Sequence, residues 1–168
     1  TRTFSWMPTY TQAGDYPVTF SVSDGKLTDS EAITIVVSNV NRAPVLATIG
    51  NKSIAENQLL EFGLSATDAD GDSLTYSATG LPTGASFINQ KFSWTPTTNQ
   101  SGNYPVSFSV SDGKGGSDKE DITISVGNVN QPPVLAAIGN KSVAEGVLVE
   151  FTVSATDADG DALTYSAT

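Results

Sequence analysis

The chain has 168 residues, and its 18 acidic side chains against 8 basic ones give a formal net charge of -10, which repels nucleic-acid phosphates and anionic membrane surfaces. It has no His and no Cys, so the usual general base, thiol nucleophiles, ordinary zinc sites and a disulfide framework are excluded. No run of about 18 apolar residues occurs, and no membrane insertion of this segment is predicted.

The chain repeats itself at an offset of 88 to 89 residues. The triplet FSW occurs at 4–6 and again at 92–94, and NVNRAPVLATIGNKSIAEN at 39–57 returns as NVNQPPVLAAIGNKSVAEG at 128–146. The prolines of NRAP and NQPP cannot continue a paired strand, so both linkers are predicted domain boundaries. The predicted units are residues 1–41, the C-terminal half of one repeat with strands E to G; residues 42–130, one complete repeat; and residues 131–168, the N-terminal half of the next repeat with strands A to C.

Apolar and polar residues alternate with a period of two in the complete unit. The alternation runs through 60–67, 104–111 and 122–126, which predicts strands with one buried and one solvated face. Asp112-Gly113 is a hairpin signal between the last two strands. About seven short strands and no helical pattern in a unit of about ninety residues predict a Greek-key sandwich of the immunoglobulin kind. Without a Cys pair, an antibody-type domain is excluded.

A known family shares these motifs in this order. LSATDADGDSLTYS at 64–77 is followed by GLPTGASF at 80–87, FSWTP at 92–96, GNYPVSFSVSDG at 102–113 and NVNQPPV at 128–134. The whole chain resembles the bacterial cadherin-like and Ig repeats, also called dystroglycan-type cadherin-like domains, which occur in tandem in large surface proteins. The resemblance implies an all-β fold of tandem Ig-like/cadherin-like Greek-key β-sandwiches.

Three acids of the complete unit, Asp68, Asp70 and Asp112, are predicted to converge beside Asn39 and Asn41 at one end of the sandwich. The stretch 68–72 lies in the predicted B–C loop, Asp112 opens the predicted F–G loop, and the preceding linker arrives at the same end. Carboxylates about 4 Å apart repel by about 4 kcal/mol per pair at an effective dielectric constant near 20, so the cluster is costly without a cation. All-oxygen ligands select Ca²⁺ over a transition metal.

Similarity to cadherins implies one Ca²⁺ at each junction between units. The ligands would come from the A-strand Glu of one domain, the Asn-containing linker, and the Asp-x-Asp and F–G Asp of the next domain. Arg42 and Gln131 stand where a cadherin linker would carry further acids, which limits the expectation to one ion per junction. At the first junction the resemblance implies the ligands Asn39, Asn41, Asp68, Asp70 and Asp112. At the second junction it implies Glu56, Asn128, Asn130, Asp157 and Asp159.

The acidic stretch also has a purely structural interpretation. Asp and Gly are common turn formers, so the alternative is that DADGD is a solvated B–C turn whose charge adds solubility. An EF-hand is excluded, because the sixth position of such a loop counted from Asp68 is Ser73 where Gly is required, and the twelfth is Thr79 where Glu is required.

Two further groups of residues are predicted to be structural. Trp6 and Trp94 raise the alternative of sugar stacking, but each shares a strand face with Phe4 or Phe92, which predicts packing in or near the core. The other group is predicted to form a solvated strand edge that discourages edge pairing, and it consists of Asp118, Lys119, Glu120 and Asp121.

The predicted function is that of a non-enzymatic, extracellular structural repeat of a bacterial surface adhesin, stalk or fibre, with calcium-stiffened junctions between domains. The alternative is an accessory carbohydrate-binding or spacer module of a secreted polysaccharide-degrading enzyme, which an exposed aromatic strip would favour. A hydrolase using carboxylates alone has no support, since the acids lie too close together for the two-carboxylate geometry.

The predicted partners are neighbouring repeats or other copies of the same chain, including a filament of such copies. Phe20 and Val22 in the first half-repeat, and Phe151 and Val153 in the last, need an opposite sheet to cover them. Neither nucleic acid nor a membrane is expected as a partner, and no adhesive ligand is predicted.

Overall fold

A computed structural model describes residues 2–168, and none of these residues forms a helix, so no membrane-spanning helix is present among them. The first unit contains β1 (Gly14–Ser23) and β2 (Thr28–Val37). The central unit contains β3 (Val45–Leu46), β4 (Lys52–Ala55), β5 (Leu60–Gly63), β6 (Ala66–Thr67), β7 (Thr75–Thr79), β8 (Ser86–Ile88), β9 (Lys91–Trp94), β10 (Gly102–Ser111) and β11 (Ser117–Gly127). The third unit contains β12 (Val134–Leu135) and β13 (Ala155–Thr156).

Two sheets form a sandwich in the central unit. One sheet has the strand order β4-β11-β10-β7 and the other β5-β9-β8, while β3 pairs with β6. Strand β4 runs parallel to β11, and the remaining pairs are antiparallel. The first strand of the repeat is therefore split, because β3 pairs with one part of the sandwich and β4 with the other. The prediction of an all-β, Ig-like sandwich is confirmed.

The core of the central unit is aromatic at its centre. Phe92, Trp94 and Phe108 are at most 1% exposed. The ring centroids of Phe92 and Phe108 lie 5.9 Å apart in an edge-to-face arrangement, and the Trp94 ring meets Tyr104 edge-on at 4.9 Å. The Trp94 indole N–H donates to the carbonyl oxygen of Thr83 at 3.2 Å, which satisfies its polar atom. The prediction that Trp94 packs in the core is confirmed.

A tyrosine near the start of a long strand anchors the preceding loop in two units. Tyr104 donates its hydroxyl hydrogen to the carbonyl oxygen of Gln100 at 3.0 Å, and Tyr16 does the same to Gln12 at 3.0 Å. This is the tyrosine corner of Ig-like sandwiches, in which the hydroxyl bonds backbone a few residues upstream. Both copies of the repeat therefore enter their long hairpin in the same way.

The first unit is a long hairpin whose apolar face is open. Strands β1 and β2 pair over their full length, and the Phe4 and Phe20 rings meet edge-on at 5.8 Å. Trp6 is half-buried against Tyr16, with ring centroids 4.7 Å apart. Phe20 nevertheless remains 42% exposed, because the unit has no second sheet in this chain. The predicted unit boundaries and the covering of this face by a neighbour remain predictions.

Strand β11 carries two acids with a role that the sequence did not predict. Glu120 accepts the N–H of Ile49 at 2.7 Å and that of Gly50 at 2.8 Å, and Asp118 accepts the N–H of Leu46 at 2.8 Å. The prediction of a solvated edge is therefore wrong for Asp118 and Glu120. The chain passes between sheets after β3, which leaves backbone donors that no strand can pair.

The solvated-edge prediction holds for the other two members of that group. Lys119 and Asp121 form an ion pair at 3.2 Å with both side chains largely exposed.

Candidate metal centre at the domain junctions

The two acidic loops of the central unit lie at the end of the sandwich that the first linker reaches. One loop joins β6 to β7 and the other joins β10 to β11. The first loop is closed by Asp68, whose Oδ1 accepts the N–H of Asp70 at 2.8 Å and that of Asp72 at 3.1 Å. Gly71 takes a φ of 77°, which a side chain would strain. The spacing of acids in DADGD therefore stabilises a tight turn without any bound ligand.

Three carboxylates from the two loops meet at this end. Asp68, Asp72 and Asp112 each offer an oxygen, and these oxygens all lie within 4.8 Å of one another. The second oxygens of Asp68 and Asp72 are buried without a hydrogen-bond partner, and so is Oδ1 of the linker residue Asn41. Buried polar atoms normally have a partner, and oxygen-only sets of this kind are what Ca²⁺ takes. The residues present therefore fit a calcium ion.

Asp112 accepts more hydrogen bonds than the other members of this set. It is 5% exposed; its Oδ1 accepts the N–H of Lys114 at 2.7 Å and that of Gly116 at 2.9 Å, and its Oδ2 accepts the Asn41 side-chain N–H at 2.7 Å. The bond from Asn41 is the main cause that lowers the pKa of Asp112, and the loop N–H groups add to it. The carboxylate is thus charged and directed toward the linker.

Asp70 is turned away from this set and pairs with Arg42. The guanidinium donates to Asp70 Oδ1 from two nitrogens, at 2.7 and 3.0 Å, and the Arg42 backbone N–H donates to Oδ2 at 2.7 Å. The Asp70 side chain is 7% exposed, and the hydrogen bond from Arg42 is the largest cause that lowers its pKa. Both oxygens of this predicted ligand thus bond Arg42, one its guanidinium and the other its backbone N–H.

Asp72 takes the place in the cluster that was predicted for Asp70. Its Oδ1 pairs with the Lys114 ammonium, and its Oδ2 has no partner. The remaining predicted residue of this junction, Asn39, is exposed and lines a cavity of about 270 Å³ with Tyr10 and Arg42. Of the five residues predicted for the first junction, the structure brings together Asn41, Asp68 and Asp112.

The second junction repeats the acidic turn. Asp157, Asp159 and Asp161 offer oxygens within 4.8 Å of one another. Asp157 Oδ1 accepts the N–H of Asp159 at 2.9 Å, and Asp159 Oδ2 accepts the backbone N–H of Gln131 at 2.5 Å. Asp159 Oδ1 is buried without a partner. Asp157 and Asp159 were predicted here, and Asp161 was not.

The other residues predicted for the second junction lie around this turn. Glu56 is 1% exposed, its Oε2 accepts the N–H of Val129 at 3.0 Å, and its Oε1 has no partner. Asn128 and Asp159 line one cavity of about 470 Å³. Asn130 is exposed and bonds the carbonyl oxygen of Gln131 at 3.4 Å. Glu56 thus contacts the linker, but it does not belong to the cluster of Asp157, Asp159 and Asp161.

Three residues of these sites were not predicted from the sequence. Two are acids of the clusters, Asp72 and Asp161, and the third is Arg42, which pairs with Asp70. The signal for the two acids was present, because DADGD and its copy have an acid at every second position. The Asp-x-Asp pattern implied by the resemblance includes only the first two acids of each stretch, so the third acid was left out of the predicted ligands. No local signal assigns Arg42 to Asp70, which lies 28 residues further along the chain.

Comparisons with known proteins agree with this architecture. The family model of the bacterial Ig domain matches residues 41–125. Chitinase A of Pseudoalteromonas piscicida is 32% identical over 130 residues, which cover 75% of this chain and 16% of that protein. Integrin beta-like protein A of Dictyostelium discoideum is 25% identical over 185 residues, which cover 94% of this chain and 10% of that protein. The chain therefore spans a small part of the curated relatives it matches.

A solved structure shows the same fold. The structure of human CDH23 EC21-23 superposes with a TM-score of 0.52 at 19% identity, over 86% of this chain and 54% of that one. At this identity the likeness establishes the cadherin-like sandwich fold.

Proposed function

We propose that the chain, which belongs to the bacterial Ig domain family, is a non-enzymatic, extracellular spacer whose domain junctions stiffen when they bind Ca²⁺. It would form part of a surface adhesin, stalk or fibre. Tandem copies joined by short proline-containing linkers support a role in setting distance and direction between other parts of a protein. Contacts from the first linker to both acidic loops support a role of the junction in fixing the orientation of the two domains.

One observation carries the calcium part of the proposal. Three buried oxygens without partners, from Asn41, Asp68 and Asp72, lie at the first junction beside the charged Asp112. Asn41 belongs to the linker and the acids to two loops of the following domain, so an ion bound by all four would tie linker and domain together. Extracellular calcium modules bind with dissociation constants of about 10⁻⁴ to 10⁻³ M, and the same range is expected here.

At the second junction the turn of Asp157, Asp159 and Asp161 would hold the ion, and the buried Glu56 would face the same linker from the preceding domain. The unpaired oxygens of Asp159 and Glu56 support this assignment. A bound ion would supply positive charge that offsets carboxylate repulsion, and the turn of the protein positions the oxygens.

A second candidate function is that of a spacer module in a secreted polysaccharide-degrading enzyme. The likeness to Chitinase A of Pseudoalteromonas piscicida favours it. In the complete unit, residues 42–130, every aromatic side chain is buried or half-buried. This complete unit therefore has no exposed aromatic strip for stacking on sugars, which favours a spacer over a carbohydrate-binding surface in either parent protein.

The partners proposed are neighbouring repeats or further copies of the chain. The open faces of the first and third units support this, since Phe20 and Phe151 are 42% and 49% exposed. In the complete unit the residue equivalent to Phe20 is Phe108, which the opposite sheet covers fully.

Calcium titration with the chain and with Asp72→Asn tests the proposal. At a concentration tenfold above the dissociation constant, calcium should stabilise the bound unit by about 1.4 kcal/mol, which raises its melting temperature. Asp72→Asn should reduce this rise, since it removes one charge from the cluster. Asp121→Asn is the matched control, because Asp121 is an exposed acid of the same unit. If chelator and calcium give the same melting temperature and the same scattering profile, the metal role is wrong.

A further inference from the structure

The two junctions have the same backbone frame and different side chains. In both, the residue after the Asn-Val-Asn linker donates its N–H to an acid of the turn, Arg42 to Asp70 at 2.7 Å and Gln131 to Asp159 at 2.5 Å. The residue pairs are equivalent in the repeat. What differs is the side chain that leaves this common anchor point, a guanidinium in one case and an amide in the other.

At the first junction the Arg42 side chain contacts both the following and the preceding domain. The Arg42 guanidinium holds Asp70 Oδ1 from two nitrogens and also donates to the carbonyl oxygen of Ala69. Its central carbon lies 5.7 Å from the centre of the Tyr10 ring, which belongs to the first unit. A guanidinium has a planar, rigid fork of donors and stacks on aromatic faces. Arg42 therefore contacts both domains that the linker joins.

At the second junction neither half of this arrangement is present. Thr98 stands at the position of Tyr10, and Gln131 at that of Arg42. The Gln131 side chain donates to the carbonyl oxygen of Val129, within its own linker, at 3.0 Å. Among residues 2–168, no Lys or Arg forms an ion pair with the acids of this turn. The buried oxygen of Asp159 that is left without a partner is the equivalent of the oxygen that Arg42 holds on Asp70.

We propose that Arg42 acts as a built-in cation that holds the first junction in one orientation without metal, whereas the second junction, with Gln131, keeps one orientation only when an external cation is bound. The part on the second junction rests on the proposed calcium function; the part on Arg42 does not. At the first junction calcium would then further stabilise an orientation that Arg42 already holds, whereas at the second junction calcium would be needed to fix the orientation.

Distance measurements between two spin labels test the role of Arg42. The chain has no Cys, so Thr34→Cys and Thr79→Cys, both exposed, place one label in each of the first two units without background labelling. In chelator, the parent chain should give one narrow distance distribution, and Arg42→Gln should lose it and give a broad one. Lys119→Gln is the matched control, since it removes a cation of an exposed ion pair elsewhere, and it should leave the narrow distribution unchanged.

Added calcium separates this proposal from the proposed function. A broad distribution for Arg42→Gln in chelator that narrows with calcium supports both. A broad distribution that calcium does not change supports the role of Arg42 and contradicts calcium stiffening at this junction. A narrow distribution for Arg42→Gln in chelator, or a broad one for the parent chain, overturns the role of Arg42 whatever calcium does.

The reciprocal change tests whether the same position controls the second junction. Gln131→Arg combined with Thr98→Tyr should install the contact, because the backbone N–H already meets Asp159 in the same way. With labels at Thr79→Cys and Thr152→Cys, the double variant should give a narrower distribution in chelator than the unsubstituted labelled chain. Equal distributions for the two would overturn the claim that this residue specifies the behaviour of a junction.

Discussion

Asp112 illustrates how hydrogen bonds fix a single side chain at the first junction. Its carboxylate accepts two loop N–H groups and one side-chain N–H, so its orientation is set by the protein itself. These bonds stabilise the charged form of the group, which is why its pKa is lowered. Gly116 leaves the space that the Asp112 carboxylate occupies, because a Cβ at that position would lie 2.1 Å from Asp112 Oδ2 and 2.7 Å from the Cα of Ala43.

The lowered pKa of Asp112 predicts a dependence of stability on acid. A group whose pKa is lower in the folded state than the ordinary value of about 3.9 stabilises the fold above that value, and the stabilisation is lost as the pH falls through the folded pKa. Asp112→Asn removes this contribution at all pH values. The difference between the urea midpoints at pH 7 and about pH 3 should therefore be smaller for the variant than for the parent chain. An equal difference would contradict the assignment.

Gly116→Ala should destabilise the central unit and disturb its junction. The new methyl group would collide with the Asp112 carboxylate and with backbone of Ala43, and overpacking of this kind costs about 1 to 3 kcal/mol. Gly63→Ala is the control, since the heavy atom nearest to a Cβ at that position would be 3.9 Å away. Urea unfolding of both variants measures the effect. Similar midpoints for the two would show that the loop moves aside at no cost.

At the scale of the elements, the split first strand explains why β11 carries acids that accept backbone hydrogen bonds. The chain leaves β3, crosses between the sheets and joins β4, and in the crossing the N–H groups of Ile49 and Gly50 have no strand partner. A carboxylate with two oxygens satisfies both donors at once. Glu31 occupies the equivalent place on β2 and is exposed there, because the first unit has no such crossing segment in this chain.

Glu120→Ala should lower the stability of the central unit by about 1 to 3 kcal/mol, because it leaves two part-buried backbone donors without an acceptor. Asp121→Ala, its exposed neighbour, should change the free energy of unfolding by less than about 0.5 kcal/mol. Denaturant unfolding of the two variants provides the comparison. A neutral Glu120→Ala would mean that water replaces the carboxylate at this crossing.

At the scale of the whole molecule, the two flanking units contain complementary segments of the repeat. The first unit has the strand pair equivalent to β10 and β11, and the third has the segments equivalent to those from β3 to β7. In the central unit these two sets of strands pack together through the apolar core. We therefore expect a neighbouring repeat or another copy of the chain to cover the exposed apolar side chains of the flanking units.

The 168-residue chain should accordingly self-associate, with residues 131–168 of one copy covering residues 2–40 of the next. Phe20→Asp should abolish the association, because a charge would be buried at the centre of the shared core. Val40→Asp is the control, since Val40 is an exposed apolar residue of the linker. Sedimentation velocity at several concentrations distinguishes these outcomes. A monomeric parent chain, or association that survives Phe20→Asp, would contradict this arrangement.

The motif DADGD and its distant copy located the candidate sites from sequence, since a turn of this kind is closed by bonds within five residues. Which acid of the turn joins the cluster was decided by tertiary structure. Asp70 forms an ion pair with Arg42 instead, and Asp72 lies beside Asp112, which is 40 positions further along the chain. Partners so far apart in sequence are brought together by the packing of strands, and local pattern carries no information about them.

The period-two alternation likewise determined an all-β chain, because it decides which side chains can share a buried face. It did not decide which segments become strands. KSIA at 52–55 forms β4 beside β11, whereas the nearly identical KSVA at 141–144 forms no strand. TYSAT at 75–79 forms β7 beside β10, and the same letters at 164–168 do not. A strand needs hydrogen-bond partners from another segment, so sequence sets the capacity to form one and the neighbouring strand decides whether it forms.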